Sequence, residues 1–171
     1  MKKIKIFLVF AALSFPAAAD DSHAIFGSRI NQFGLYGGHA VRSSDPEHYN
    51  AFIMMQYSQP TKILRLDGRL NVQMGYVNSE THPWVIGGIS LDAALLSFRS
   101  FYAGVGMGVF MRNRETPRQD STLTFGERAF VGRNIGDRVN LEFFFQHFSN
   151  GNLSEKNYGY NFLGMSVNLN F

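Results

Sequence analysis

The chain has 171 residues, one domain's worth of sequence, with 45% hydrophobic residues, 16 Lys and Arg against 13 Asp and Glu, and no cysteine. No apolar run reaches the roughly 18 residues that a membrane-spanning helix needs, and the lack of cysteine fits an exported protein that does not rely on disulfides. The formal charge of +3 is no sign of nucleic-acid binding, because three lysines stand in an N-terminal leader and without them 13 basic residues face 13 acidic ones.

That leader has the parts of a secretory signal. Lys2, Lys3 and Lys5 form the positive region, Ile6 to Phe15 the apolar region, and Ala17-Ala18-Ala19 a small-residue cleavage site. Residues 1–19 are expected to be a signal peptide and 20–171 the mature domain, beginning at Asp20. Aromatic content is high, with 17 Phe and 7 Tyr, which suits a protein whose outer surface meets lipid.

Beyond the leader, period-2 alternation dominates, the mark of strands with one apolar and one polar face. The spacing predicts strands over 32–42, 49–58 and 62–76. In the last of these, Leu64, Leu66, Leu70, Val72, Met74 and Tyr76 oppose Arg65, Asp67, Arg69, Asn71 and Gln73. Further strands are expected over 84–92 and 100–112, the latter with Gly104, Gly106 and Gly108 on one face, as a crowded interior requires. The glycines follow strand alternation and lack the strand-to-helix context of a phosphate loop. Strands over 122–133, 138–149 and 160–171 complete an even set. In the seventh, Val139, Leu141, Phe143 and Phe145 oppose Asn140, Glu142 and Gln146. In the last, Leu163, Met165, Val167, Leu169 and Phe171 alternate with small and polar residues.

Connections at Ser43 to His48, Val77 to Pro83, Asn113 to Ser121 and Asn150 to Gly159 are longer or more polar. Those at Gln59 to Thr61 and Asn134 to Asp137 are tight, and the one near Ser97 is poorly marked. This pattern predicts an all-β fold, an eight-stranded antiparallel transmembrane β-barrel with short inner turns and longer outer loops. The terminal aromatic Phe171 resembles the assembly signal of bacterial outer-membrane barrels. A soluble barrel of the lipocalin kind shows the same alternation with its faces reversed. The charged face of 62–76 and the glycine face of 100–112 favour a small packed polar lumen, and so the membrane form. Trp84, near an outer loop, reads as an interface aromatic.

Most functional information lies in Gln146-His147-Phe148-Ser149-Asn150-Gly151-Asn152-Leu153. Residues two apart in a strand point the same way, so His147 and Ser149 share the apolar face with Phe143 and Phe145. Unpaired polar groups facing hydrocarbon are costly. Either the pair sits among headgroups at the strand end, or Ser149 is a nucleophile with His147 as its base. His23, His39, His48 and His82 show no metal-ligand spacing, and neither a metal nor a cofactor is expected.

His147-x-Ser149-Asn150 at the outer end of the penultimate strand, with Leu153 in the following loop and Asn157-x-Gly159, resembles the lipid A 3-O-deacylase family, often called PagL. The likeness extends more loosely over the whole barrel. It implies an outer-membrane esterase that removes the 3-hydroxyacyl chain at position 3 of lipid A, with His147 as base and Ser149 as nucleophile. It also implies an oxyanion hole, assigned to Asn157 and the backbone of Gly151 and Asn152, beside Asn150. Lipid A in lipopolysaccharide would be the partner, and the protein a monomer or homodimer.

One position departs from the family pattern: Asn161 stands where the family's acid is a Glu. Asn161 lies on the apolar face of the last strand, across from His147 if pairing resumes near Ser149 and Gly159. Its side-chain oxygen can accept from the imidazole, as in Cys-His-Asn proteases, but it brings no charge. Asn161 is the favoured orienting group and Glu155 the alternative acid. Glu127, on the sixth strand beside the seventh, is a second carboxylate that could substitute; it interrupts that strand's apolar face, which marks either a bulge or a register error in the prediction. Glu142 shares the lumen face with Gln146. Arg112, Arg114, Arg118 and Lys156 are candidates to meet lipid A phosphates, or else solvated loop charges. The competing functions are a non-enzymatic barrel for adhesion, structure or solute passage, and a different lipid-modifying barrel. The known outer-membrane phospholipases use calcium and an Asn-His-Ser set on a larger barrel.

Overall fold

The computed structural model describes residues 30–41, 49–80 and 82–171. The expected signal peptide, His23, His48 and most of the first connection lie outside them. Eight strands follow one another: β1 (Gln32–Ala40), β2 (Tyr49–Ile63), β3 (Leu66–Ser79), β4 (Trp84–Phe98), β5 (Phe101–Arg112), β6 (Leu123–Ile135), β7 (Val139–Ser149) and β8 (Tyr160–Asn170). Each pairs antiparallel with its sequence neighbour, and β8 closes on β1 from Gln32↔Asn170 to Ala40↔Phe162. The closed up-and-down barrel leaves no free sheet edge, as backbone in hydrocarbon demands.

Which face points out separates the two barrel classes. Val72, Met74, Ile89, Met107 and Phe143 are each more than half exposed, while Arg69, Asn71, Asp92, Arg128 and Glu142 are buried inside. A soluble barrel has the opposite polarity, so this outer surface belongs in a bilayer.

The lumen has two zones. Towards the tight turns, Arg69 Nε is 2.7 Å from Asp92 Oδ2 and Arg69 Nη1 is 2.8 Å from Glu142 Oε1, while Arg128 also contacts Asp92. Asn71 Nδ2 donates to Asp92 at 2.9 Å, and the Tyr102 hydroxyl donates to Glu142 at 2.8 Å. Two cations and two carboxylates thus neutralise each other away from water, as buried charge requires. Towards the loops, Tyr49, Phe52, Phe110, Phe148, Tyr160 and Phe162 fill the barrel, many ring pairs meeting edge to face. Gly104 and Gly108 face inward, where a Cβ at Gly104 would strike the Phe130 ring and one at Gly108 would meet Phe110 at 2.9 Å.

Three expectations change. Gln59 to Thr61 lies inside β2, and the turn is Leu64-Arg65, with Leu64 at φ 58°. Pro60 misleads because β1 pairing stops at Ser58, so its missing N–H faces a stretch with no β1 partner. The fourth strand runs on to Phe98, because a register shift between Ala94 and Leu96 turns both Leu95 and Leu96 outward and breaks the alternation. Trp84 is 1% exposed and lies inside the barrel, 5.2 Å from the Tyr160 ring, rather than at the membrane interface.

Candidate active site

β7 ends at Ser149 without a bulge, so His147 and Ser149 both face outward at the loop end of the barrel. Pairing with β8 runs through His147↔Asn161 to Phe148↔Tyr160. Asn161 thus stands directly across from His147, and Asn161 Oδ1 lies 2.7 Å from His147 Nδ1. An amide oxygen only accepts, so Nδ1 is the donor in this contact, and in the neutral ring Nε2 is then the acceptor. The Asn161 backbone is itself held, its N–H donating to the Tyr49 hydroxyl at 3.1 Å and its carbonyl accepting from Val41 at 2.9 Å.

The imidazole leans towards β8, with Cε1 so close to Gly159 that a Cβ there would be 2.8 Å away. No hydrogen bond joins it to Ser149 among the described residues. Such bonds often tighten only when substrate is present.

Beyond Ser149 the loop is organised by Asn150, which is fully buried. Its Oδ1 accepts the Asn152 N–H at 3.0 Å, and its Nδ2 donates to the Lys156 carbonyl at 2.8 Å and to Ser154. Asn157 Oδ1 accepts the Asn150 N–H at 2.9 Å, and Asn157 Nδ2 donates to Asn152 Oδ1 at 3.1 Å. Asn150, Asn152 and Asn157 are therefore bound to each other. The Gly151 N–H stays uncommitted among the described residues, at a left-handed φ of 65° that suits glycine. Glu155 is exposed, and no hydrogen bond or ion pair joins it to His147 among the described residues.

The loop between β5 and β6 locks this arrangement from outside. Gln119 bridges to Asn157 and donates to the Phe148 carbonyl at 3.2 Å, while the Tyr158 N–H donates to the Arg118 carbonyl at 3.1 Å. Arg118 Nε donates to the Gly159 carbonyl at 3.1 Å and Nη2 to the Tyr158 carbonyl at 3.2 Å. Arg118, 7% exposed, and Arg112, 4% exposed and stacked 5.2 Å over the Trp84 ring, are structural residues of the barrel mouth. Neither is free to meet phosphates; Arg114 and Lys156 stay exposed. Asp120 accepts from Ser154 and from the Lys156 N–H at 3.2 Å, and these bonds, the Ser154 hydroxyl first, hold its carboxyl below the usual aspartate range. Sequence periodicity carried no sign of Arg118, Gln119 or Asp120, because their partners lie on another loop.

Glu127 needs correction too. The β6–β7 pairing has no register shift, and Glu127↔His147 are direct partners. Neither a bulge nor a misplaced strand accounts for it: it faces outward beside the imidazole. Glu142, by contrast, is buried in the lumen as its parity indicated.

Fold and outer-face polarity define a small outer-membrane barrel with a Ser-His-Asn row at its loop end. A family model described as Lipid A 3-O-deacylase (PagL) matches residues 49–170, so the chain belongs to that family. Among solved structures it is similar to the outer-membrane enzyme PagL, with TM-score 0.61 and 15% identity over 80% of this chain and 97% of that one. It is also similar to the N-terminal β-barrel domain of Pseudomonas aeruginosa OprF, with TM-score 0.60 and 10% identity over 84% and 98% of the two chains. A de novo designed transmembrane β-barrel gives TM-score 0.57 and 8% identity, over 84% and 96%. At such identities the structural likeness speaks for the fold alone. No curated protein sequence gives a significant match.

Proposed function

We propose that this protein is an outer-membrane serine esterase that hydrolyses the ester-linked 3-hydroxyacyl chain at position 3 of lipid A. The observation that carries the reading is the His147–Asn161 contact of 2.7 Å on the bilayer-facing surface, one side-chain step from Ser149. An imidazole held by a neutral acceptor and beside a serine is the arrangement general-base catalysis needs, and family membership supplies the substrate class. A site at the outer rim reaches an acyl ester just below the headgroups of the outer leaflet, without lifting the substrate from the membrane.

In the proposed reaction Ser149 Oγ attacks the ester carbonyl while His147 Nε2 takes its proton. The Gly151 N–H, in the loop that Asn150 and Asn157 hold, is the donor assigned to the developing oxyanion. Collapse of the tetrahedral intermediate breaks the ester bond, and the sugar oxygen leaves with the proton from His147. Water, deprotonated by the same imidazole, then releases the hydroxy acid and restores Ser149. Asn161 keeps the ring in the required tautomer throughout.

The test is expression in an outer membrane carrying 3-O-acylated lipid A, followed by lipid A mass spectrometry. Wild type is expected to remove one 3-hydroxyacyl chain, and Ser149→Ala to remove none. Asn161→Ala should slow the reaction by about tenfold or more, and Glu155→Ala should leave it unchanged. An unaltered lipid A mass with a correctly folded wild-type barrel overturns the proposal.

A further inference from the structure

Among the described strands, Glu127 is the one carboxylate whose side chain points outward: Asp92 and Glu142 are buried in the lumen and Asp67 adjoins a turn. Its neighbours in register are Met107 on β5 and His147 on β7. Along β6 it is flanked on the same face by Phe125 and Ala129. A carboxylate on a lipid-facing surface is costly and marks a functional place by default. Here its direct cross-strand neighbour is the imidazole.

We infer that Glu127 is a positioning residue for the deacylation, supplying from β6 the negative charge that Asn161 cannot supply from β8. This rests on the esterase reading above. In that reading His147 becomes positively charged as it takes the Ser149 proton. Asn161 fixes the ring through Nδ1 but, being neutral, gives the imidazolium no counter-charge. Direct cross-strand partners have Cβ atoms about 4.5–5.5 Å apart, so a rotation of the Glu127 side chain brings its carboxylate within charge-pairing reach of the ring, although no ion pair joins the two among the described residues. The row Glu127–His147–Asn161 runs straight across three strands. The two duties of a triad's acid, orientation and charge, are thus divided between the two strands that flank β7. At the apolar rim the field is weakly screened, which makes a charge at this spacing effective. The charged groups of the following loop, Glu155 and Lys156, are exposed, and no hydrogen bond or ion pair joins either to Glu127 or His147 among the described residues.

The experiment measures steady-state deacylation by purified, folded barrels in lipid A micelles. Ser149→Ala serves as the control for the underlying reading: activity that survives it removes that reading, whatever Glu127 does. With Ser149-dependent activity established, Glu127→Gln is expected to lower kcat by roughly ten- to a hundredfold with KM nearly unchanged. Glu127→Asp should keep most of the rate. The decisive arm moves the charge: Asn161→Asp, nearly the same shape as the native residue, should recover the rate when combined with Glu127→Gln. A purely structural role for Glu127 would not be rescued in this way. Full kcat in Glu127→Gln, or an Asn161→Asp combination no better than Glu127→Gln alone, overturns the inference.

Discussion

At Gly159 a single hydrogen atom in place of a side chain decides where the imidazole rests. Its φ of 65° is left-handed, and an added Cβ would lie 2.8 Å from His147 Cε1 and 3.4 Å from the Phe148 carbonyl. An L-residue in that conformation costs about 1–2 kcal/mol, and the crowding falls on the ring rather than on the barrel. Gly159→Ala is therefore expected to lower deacylation at least tenfold while shifting Tm by only a few degrees. Parallel rate and thermal-unfolding measurements check this, and a variant that keeps its rate would show the ring is not held there. The contact of Asn161 with His147 was legible in the sequence, because strand parity and the resumption of pairing at the loop ends fix who stands opposite whom. Glu127 was legible as a charge on an apolar face of the strand beside β7 and as a carboxylate that could stand in for the acid. Its partner needed the register of β6 against β7.

At the scale of elements, β7 ends where two loops interlock. The β7–β8 loop is tied internally by Asn150 and Asn157 and externally by Arg118, Gln119 and Asp120 from the β5–β6 loop. Asp120 titrates below ordinary aspartate because its charged form accepts from Ser154 and Lys156. A lowered folded value means the bond contributes above the ordinary carboxylate range and is lost as pH falls through that lowered value. The Lys156 amide resonance should then titrate with a midpoint below that of a free aspartate, the loop contact being complete at neutral pH. A midpoint at or above the ordinary value would contradict the contact. Strand cores were readable from alternation, whereas strand ends were not. Pro60 lies within β2 where no β1 partner needs its N–H, and the Ala94–Leu96 irregularity hides the last part of β4.

For the whole molecule the governing fact is inversion: apolar outside, charged and aromatic inside. The charged zone is held by Arg69, which binds both Asp92 and Glu142. Arg69→Met would leave those two carboxylates with Arg128 as their remaining cation in the network. Removing one partner of a buried ionic group costs about 3–5 kcal/mol, read as urea unfolding in lipid vesicles from the fluorescence of the sole tryptophan, Trp84. Adding Glu142→Gln to Arg69→Met should recover part of that loss, since one uncompensated charge is then gone. An undiminished stability in Arg69→Met would show that water enters the lumen and screens the network.

Strand number, the sharing of a face by His147 and Ser149, and the likeness to the lipid A 3-O-deacylase family were all determined by the sequence. Each rests on the two-residue period of a strand or on a short local motif. The closed barrel bore out the outward apolar face that the sequence favoured, and what only the tertiary structure decided is that Trp84, Arg112 and Arg118 fill the barrel mouth and that Glu127 stands in register with His147. Those depend on closure and on register between strands. Alternation fixes which residues share a face; only the closed barrel assigns that face to lipid or lumen and sets each side chain beside its neighbour.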